Sequence, residues 1–486
     1  MADTIELDRP SGGPGPLVRR GWAERLARRP VLLFVMLSAI FGTAIVFINP
    51  PLRGPDEAQH FVRIYGIARG EVLPSTLDAR GRRGTFLPAQ LADDLTLFDA
   101  ARSRVNDPDF SYRTLLADFF ARRAERISED RQRPPIFTLY AGSESYPPHV
   151  YVAPIVAGLV GNSLGADLVI LAYAMRLAGL AFATALAAYA ISATPRLKWA
   201  FFLIALLPSA VYGRAVLSAD GCAFGFALIV TALCLRAALA NGDERVPERA
   251  FWMTLCVSSK PSQIAFVLLE TMTRSFKLLP ERWRPVALVV LPALVLLPLW
   301  MSAVSADVAV WRITEAGGVR PEELSPTWKL GYMLQHPLHF PVALITSLDF
   351  TPELFRQLIG ILGWLDTALY PLVYPALGIA LLAVPFESLP ASGAIRVRVA
   401  AVSWLTVIAY TLAVFVIFYL IWTPVASERI LGVQGRYFLA ALPLAAMGIA
   451  CCVRRGLPQP LLGATAVGGA LISGAATVEG LIRVNW

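Results

Sequence analysis

Long apolar runs alternate with shorter polar segments along most of the chain, and this pattern predicts a bundle of membrane-spanning helices. An α-helix needs roughly 17–25 mostly apolar residues to cross the hydrocarbon layer of a bilayer. About nine runs approach or meet that length: they lie at residues 31–49, 167–191, 199–217, 221–240, 285–304, 367–385, 399–421, 437–453 and 459–478. The expected fold class is therefore an all-α polytopic membrane protein.

Two further apolar segments do not fit a simple crossing. Residues 149–165 are short for a span, and we interpret them as a helix lying at the membrane interface. Residues 250–272 are interrupted by Ser258-Ser259-Lys260-Pro261, which predicts two half-length helices. Irregular backbone at membrane depth is tolerated only where it lines a cavity or is buried in protein, so Lys260 points to a cavity. Whether either segment crosses the membrane stays open.

The polar segments set the expected topology. Residues 1–30 carry several arginines directly before the first apolar run, which predicts a cytoplasmic N-terminus. Residues 51–165 then form a long first extracytoplasmic loop, and residues 305–366 form a second extracytoplasmic segment. Helical patterns at Asp56–Gly70 and Tyr112–Ile127 predict amphipathic helices on the membrane surface. Residues 31–486 are expected to form one transmembrane domain.

Composition narrows the class of protein. Of the 486 residues, 56% are hydrophobic and only 16% are charged, which excludes an ordinary soluble domain. The net charge of +8 is spread over many loops rather than along one stripe, so nucleic acid is not an expected partner. The five cysteines lie in or beside apolar runs, which argues against a disulfide-bonded extracytoplasmic domain and against a cysteine metal site.

The candidate chemistry begins where the first apolar run ends. Asp56 and Glu57 follow the sequence Pro50-Pro51-Leu52-Arg53-Gly54-Pro55, and ionisable groups at a membrane exit are costly enough to suggest a function. Arg176, Lys260 and Arg436 are predicted within or beside other spans. Carboxylates opposite such cations suit a substrate that is both anionic and hydroxylated, such as a polyprenyl-phosphate sugar. A carboxylate would take the proton of an acceptor hydroxyl, and the cations would bind phosphate.

Three motifs carry a resemblance to a known family. They are Pro55-Asp56-Glu57-x-x-His60, Tyr146-Pro147-Pro148 and Gly432-Val433-Gln434-Gly435-Arg436-Tyr437-Phe438. Together with the long first loop, they make the chain from residue 50 to about 445 resemble a bacterial branch of the GT-C superfamily of membrane glycosyltransferases. The resemblance implies a GT-C-like bundle of about 9–11 transmembrane helices with a long helical first extracytoplasmic loop.

The resemblance also implies an activity and a set of site residues. It implies inverting transfer from a polyprenyl-phosphate-linked sugar to a cell-envelope glycan or glycolipid, on the extracytoplasmic face of the bacterial cytoplasmic (inner) membrane. Asp56 matches the catalytic base, with Glu57 as a second acid, and Arg176 matches an arginine near the donor phosphate, where Lys260 and Arg436 are further candidates. The candidate substrate-binding residues are His60, Arg63, Tyr146, His149, Gln434 and Tyr437.

Several points stay open at the level of sequence. A transporter or flippase for a lipid-linked saccharide is an alternative, and so is a polymerase or ligase of lipid-linked oligosaccharides. No cofactor is certain, and no clear set of metal ligands is visible. A divalent cation held by Asp56 and His60, four residues apart, is possible. The expected partners are the donor, the acceptor and membrane lipids; the sugar, the acceptor and the oligomeric state are not specified.

Overall fold

The computed structural model describes residues 29–122, 133–240, 245–274, 280–304, 323 and 325–486. The predicted cytoplasmic segment 1–30 therefore lies almost wholly outside the described residues, as do residues 305–322 of the second predicted loop. The helices are α1 (Pro30–Ile48), α2 (Glu57–Ala68), α3 (Ala89–Ala101), α4 (Tyr112–Ala121), α5 (Val152–Ser163), α6 (Leu168–Ala193), α7 (Lys198–Ala205), α8 (Pro208–Ala215), α9 (Asp220–Leu239), α10 (Val246–Ser259), α11 (Pro280–Val304), α12 (Pro326–Gln335), α13 (His339–Ser347), α14 (Thr351–Gly360), α15 (Val373–Ala383), α16 (Gly393–Ile421), α17 (Leu442–Cys452) and α18 (Gln459–Asn485).

Shorter elements complete the fold. Strands β1 (Gly84–Leu87) and β2 (Ile136–Leu139) pair antiparallel, as do β3 (Ile361–Leu362) and β4 (Thr367–Ala368). The 3-10 helices lie at Arg102–Arg104, Ser143–Ser145, Pro148–Tyr151, Pro261–Thr273, Leu348–Phe350 and Gly435–Ala441. The predicted dominance of helix is confirmed.

Seven helices among the described residues are long and apolar enough to cross a membrane. They are Pro30–Ile48, Leu168–Ala193, Asp220–Leu239, Trp283–Val304, Gly393–Ile421, Gly435–Cys452 and Gln459–Asn485. The prediction of an all-α polytopic membrane protein is thus confirmed. The expected count of nine to eleven spanning helices is higher than the seven found in this part of the chain.

Two predicted spans are not single long helices. The run 199–217 divides into α7 and α8, because Pro208 lacks an N–H group and Leu207 before it is extended, with ψ 150°. The run 367–385 begins in strand β4 and a turn, so that only the eleven residues of α15 are helical. Both segments were wrongly predicted as uninterrupted helices.

The structure contains the break predicted in one irregular segment and a short helix in the other, whose position at the membrane interface stays a prediction. The predicted break in 250–272 falls at Lys260, whose backbone is extended (φ −149°, ψ 135°) between α10 and the 3-10 helix Pro261–Thr273. In the segment 149–165, α5 has 12 residues, fewer than a helix needs to cross a bilayer.

The helices predicted in the first polar segment are present, but other features of this segment differ from the prediction. Helix α2 confirms the helical pattern at Asp56–Gly70, and α4 confirms that at Tyr112–Ile127 up to Ala121; residues 123–127 lie outside the described part. However, α2 is buried by protein along nearly its whole length, whereas an amphipathic helix on a membrane surface would leave one face exposed. It packs against α5 and β1, and the sheet of β1 and β2 was not predicted.

Four interruptions of the helical backbone are in contact and define the region described next. They are the turn between α1 and α2, the turn before α9, the break at Lys260, and the turn that leads into the 3-10 helix Gly435–Ala441. Helix ends leave backbone N–H and C=O groups without partners inside the helix. A cluster of such ends is therefore a place where polar and charged side chains are accommodated within an apolar bundle.

Candidate functional site

Glu57 forms a fully buried ion pair with Arg176. The Nε and Nη2 groups of Arg176 donate to the two carboxylate oxygens of Glu57 at 2.7 and 2.6 Å. The backbone N–H groups of Gly54 and Leu217 also donate to this carboxylate, each at 2.8 Å. With four hydrogen bonds and no exposed surface, the Glu57 carboxylate is fixed in place, and it ties the turn after α1 to the turn before α9.

The remaining N–H groups of Arg176 donate hydrogen bonds to backbone carbonyls at the end of α1. Its Nη1 donates to the carbonyl oxygens of Val46 and Asn49 at 3.1 and 2.6 Å, and its Nη2 donates to that of Pro50 at 2.7 Å. A guanidinium has five N–H donors, and all five are engaged by Glu57 and these three carbonyls. The structure thus brings Arg176 to Glu57 and to the last turn of α1, which argues against its predicted contact with the donor phosphate.

Asp56 faces a different partner from its neighbour. Its backbone is in the left-handed region, with φ 53° and ψ 22°, a conformation that aspartate and asparagine tolerate better than most residues. Its side chain is 53% exposed, and its carboxylate lies 3.8 Å from Nη2 of Arg436, an ion pair longer than a hydrogen bond. The Asp56 carboxylate is therefore exposed and lies beside a cation, whereas the Glu57 carboxylate is buried and fully hydrogen-bonded.

Asp220, the first residue of α9, brings the two other predicted cations together. One of its carboxylate oxygens accepts a hydrogen bond from the Lys260 ammonium group. The other lies 3.7 Å from Nε of Arg436. The result is a cluster of two carboxylates and two cations, Asp56, Asp220, Lys260 and Arg436, which we call the charge cluster.

Aromatic rings surround the charge cluster. The Lys260 ammonium lies 5.3 Å from the ring centre of Tyr437 and 6.0 Å from that of Tyr146, within the range of cation–π attraction. Burial raises the pKa of Tyr146, so its phenol stays protonated at neutral pH. The ring of Tyr146 in turn lies 5.4 Å from the ring of His60. The rings of Tyr146 and Tyr437 thus both lie close to the ammonium group.

His60 lies beside the charge cluster but is bonded elsewhere. Its Nδ1 lies 2.5 Å from the hydroxyl of Tyr151, and only its backbone N–H reaches Asp56, at the start of α2. Burial lowers the pKa of His60 to about 4, so its imidazole is neutral at physiological pH. Among the described residues, no three His, Cys, Asp or Glu side chains form a group that could hold a metal ion.

Of the other predicted substrate-binding residues, the structure places some near the charge cluster and others away from it. Arg63 donates to the backbone carbonyls of Glu71 and Val72, away from the cluster. His149 contacts Leu255 and Ser259 of α10. Gln434 precedes the 3-10 helix that carries Arg436, and its buried Oε1 has no hydrogen-bond partner in the described part of the chain. Gln434 and Tyr437 therefore remain candidates, whereas Arg63 and His149 have structural contacts.

Gly435 explains how the turn before Arg436 is held. Its N–H donates to the side-chain Oε1 of Gln357 on α14 at 2.9 Å. A Cβ atom on Gly435 would lie 2.0 Å from the carbonyl oxygen of Leu354 and 2.5 Å from the nitrogen of Leu358. Because these contacts are with backbone atoms, a side chain cannot be accommodated without separating the two elements.

Replacing Gly435 by alanine is therefore expected to destabilise the protein by about 1–3 kcal/mol, the usual cost of overpacking. The change is measured as a lower midpoint of thermal unfolding in detergent. Gly331→Ala is the matched control, because a Cβ there meets nothing within 4 Å in helix α12. The control is expected to be neutral or slightly stabilising. Equal midpoints for the two variants would contradict the tight packing inferred at Gly435.

One large cavity lies apart from the charge cluster. It has a volume of about 750 Å³ and is lined by residues of α12 and α13 and by residues 425–428. His339 on its wall is fully engaged, since its ring nitrogens contact the Tyr419 hydroxyl at 2.7 Å and the Val425 carbonyl at 3.2 Å. A smaller cleft, lined by Pro55, Asp220 and Arg436, opens directly at the cluster.

Comparison with known proteins gives the family. A family of predicted membrane proteins, DUF2142, matches residues 39–445, which contain every residue of the charge cluster. The chain belongs to the DUF2142 family. No curated protein and no solved structure matches the chain.

In this DUF2142 protein, the sequence identified three members of the charge cluster, Asp56, Lys260 and Arg436, before their proximity was known. It missed Asp220, which directly precedes the predicted apolar run 221–240. The signal was present, because Asp220 is an acidic residue at the first position of an apolar span. The same argument that singled out Asp56 at the end of α1 applies to it.

Proposed function

We propose that this protein is a glycosyltransferase that moves a sugar from a polyprenyl-phosphate-linked donor to a hydroxyl group of a cell-envelope glycan or glycolipid. The observation that carries the proposal is the juxtaposition of the exposed Asp56 carboxylate with two cations, Lys260 and Arg436, that are largely buried. An exposed carboxylate is suited to act as a general base, and largely buried cations are suited to bind an anionic group such as phosphate.

In the proposed reaction, Asp56 takes the proton of the acceptor hydroxyl as its oxygen attacks the anomeric carbon of the donor. The bond between that carbon and the phosphate oxygen breaks, and polyprenyl phosphate leaves with one additional negative charge. Attack from the side opposite the leaving phosphate inverts the anomeric carbon. Lys260 and Arg436 stabilise the charge that develops on the phosphate.

The charge balance of the cluster supports these roles. Asp56 and Asp220 carry two negative charges, and Lys260 and Arg436 carry two positive charges. Protonation of Asp56 during transfer offsets the charge that the leaving phosphate gains, so the net charge of site and substrates is unchanged across the step. In a largely buried site this avoids the cost of accumulating charge.

The surroundings of the cluster suit a lipid-linked donor. Asp56 follows the end of α1, and Asp220 begins α9, two helices long and apolar enough to span a membrane. A phosphate at this level would leave the prenyl chain among the lipids. The resemblance to GT-C enzymes supports the same chemistry, and we propose the extracytoplasmic face of the bacterial inner membrane as its location.

The proposal is tested by incubating the purified protein, in lipid nanodiscs, with a panel of short-chain polyprenyl-phosphate sugars and acceptor glycans. Formation of a glycosidic bond with inverted configuration is the expected result. The assay is run with and without a chelator, because the sequence leaves a divalent cation open. Movement of the donor between leaflets of a proteoliposome without any transfer product would instead favour the transporter.

Removing either proposed phosphate ligand is expected to weaken donor binding. Hydrogen bonds to charged groups contribute about 1.5–3 kcal/mol, so Lys260→Ala and Arg436→Ala should each raise the donor KM by about tenfold or more. Arg429→Ala is a matched control, since Arg429 is exposed and is paired with Asp349. An unchanged donor KM in both cluster variants would contradict the assignment of the phosphate site.

A further inference from the structure

The two acidic residues that are bonded to cations in this region differ in how firmly they are held. The Glu57 carboxylate accepts four hydrogen bonds and has no exposed surface. The Asp220 carboxylate accepts one hydrogen bond, from Lys260, among the described residues, and its side chain is 24% exposed. Its second contact, with Arg436, is 3.7 Å long. The Glu57 carboxylate is therefore fixed in the fold, whereas the cations bonded to Asp220 can exchange its carboxylate for another anion.

The two cations that Asp220 contacts are those assigned to the donor phosphate. Lys260 and Arg436 are each 17% exposed, and nearby like charges that are largely buried repel one another without an anion between them. A carboxylate and a phosphate offer these cations the same kind of acceptor, an anionic oxygen. The Nε of Arg436 is buried and makes no hydrogen bond within the part of the chain that is described. It is thus a donor without a well-aligned acceptor.

We propose that Asp220 occupies the place of the donor phosphate in the unliganded protein, holding Lys260 and Arg436 together until the phosphate displaces it. This inference rests on the proposed function. Asp220 is then a positioning residue, because it holds the two cations close together. It also competes with the phosphate for these cations and so lowers the net affinity for the phosphate. Its return to the cations helps to expel polyprenyl phosphate after transfer, when the phosphate carries its highest charge.

The test is the affinity of the full-length protein, in nanodiscs, for farnesyl phosphate, a short prenyl monophosphate that stands for the product. Asp220→Asn removes the competing charge and retains the size of the side chain. It is expected to bind farnesyl phosphate about tenfold more tightly than the wild type. With a defined donor, the same variant is expected to show a lower kcat, because product release is slower.

Two further variants identify the cause of the change. Asp220→Glu keeps the competing carboxylate and is expected to restore an affinity close to that of the wild type. Asp349→Asn alters an exposed carboxylate paired with Arg429 and is expected to leave the affinity unchanged. Weaker or unchanged binding by Asp220→Asn would overturn the inference, because a purely structural role predicts loss of affinity.

A structure of the wild type with farnesyl phosphate gives a test that does not depend on any variant folding. The phosphate is expected to contact Lys260 and Arg436, with the Asp220 carboxylate separated from Lys260. An intact Lys260–Asp220 pair beside a bound phosphate would overturn the exchange but leave the proposed function standing. Failure of both wild type and Asp220→Asn to bind farnesyl phosphate would overturn the phosphate site itself, and the inference with it.

Discussion

Asp56→Asn is expected to reduce sugar transfer by about a hundred- to ten-thousand-fold, the range that a general base contributes, while the protein remains folded. Asparagine cannot accept the proton of the acceptor hydroxyl, but it tolerates the left-handed backbone that Asp56 adopts at φ 53°. Since the side chain is 53% exposed and its ion pair with Arg436 is 3.8 Å long, little stability depends on its charge. Initial rates with a defined polyprenyl-phosphate sugar give the measurement.

The comparison with two other variants shows whether the missing charge is responsible. Asp349→Asn, which removes the exposed carboxylate paired with Arg429, should keep normal transfer. Asp56→Ala should lose transfer and also some stability, because alanine is less tolerant of the left-handed region. Transfer by Asp56→Asn within about threefold of the wild type would remove Asp56 as the base, and Asp220 would be the next carboxylate to test.

The sequence predicted the helical fold because apolar runs of spanning length leave few alternatives. Its errors fall where a local feature interrupts such a run. Pro208 divides one predicted span, and a strand and turn shorten another to α15. The break at Lys260 was predicted because polar residues and a proline coincide there. A proline alone does not predict such an interruption, because α11 continues as one helix through Pro285, Pro292 and Pro298.

The location of the site was predictable, but the pairing of its charges was not. Ionisable residues beside apolar runs drew attention to Asp56, Arg176, Lys260 and Arg436. Which acid meets which cation depends on side-chain direction, and Asp56 and Glu57 diverge because Asp56 is in the left-handed region. Glu57 and Arg176 are 119 residues apart, so their contact depends on how α1 and α6 pack. The sequence pattern contains no measure of that packing.

The ion pair between Glu57 and Arg176 changes the roles that the sequence predicted for these two residues. Arg176 was expected to contact the donor phosphate, and Glu57 to act as a second acid. In the structure they neutralise each other with no exposed surface, and their hydrogen bonds join the end of α1, the turn before Asp56 and the turn before Asp220. We therefore infer that the pair positions the reacting residues and does not itself react.

Arg176→Ala is accordingly expected to show the largest loss of stability among the variants considered. Removing one partner of a buried ion pair leaves an uncompensated charge and typically costs about 3–5 kcal/mol. The Glu57 carboxylate would keep only its two backbone donors, and three carbonyls at the end of α1 would lose the hydrogen bonds that Arg176 donates. The measurement is the midpoint of unfolding in detergent. Arg356→Ala is the matched control: its pair with Glu353 is exposed, and such pairs contribute at most about 1 kcal/mol.

Arg176→Lys distinguishes a positioning arginine from a phosphate ligand. Lysine retains the charge, but a single ammonium group cannot bond to both oxygens of Glu57 and to three carbonyls in the geometry of a guanidinium. A positioning role therefore predicts a lower unfolding midpoint together with unchanged affinity for farnesyl phosphate in the folded fraction. A phosphate ligand predicts the opposite result, weaker binding at nearly normal stability. Because Lys260 and Arg436 meet Asp56 and Asp220 without Arg176, the geometry favours the first outcome.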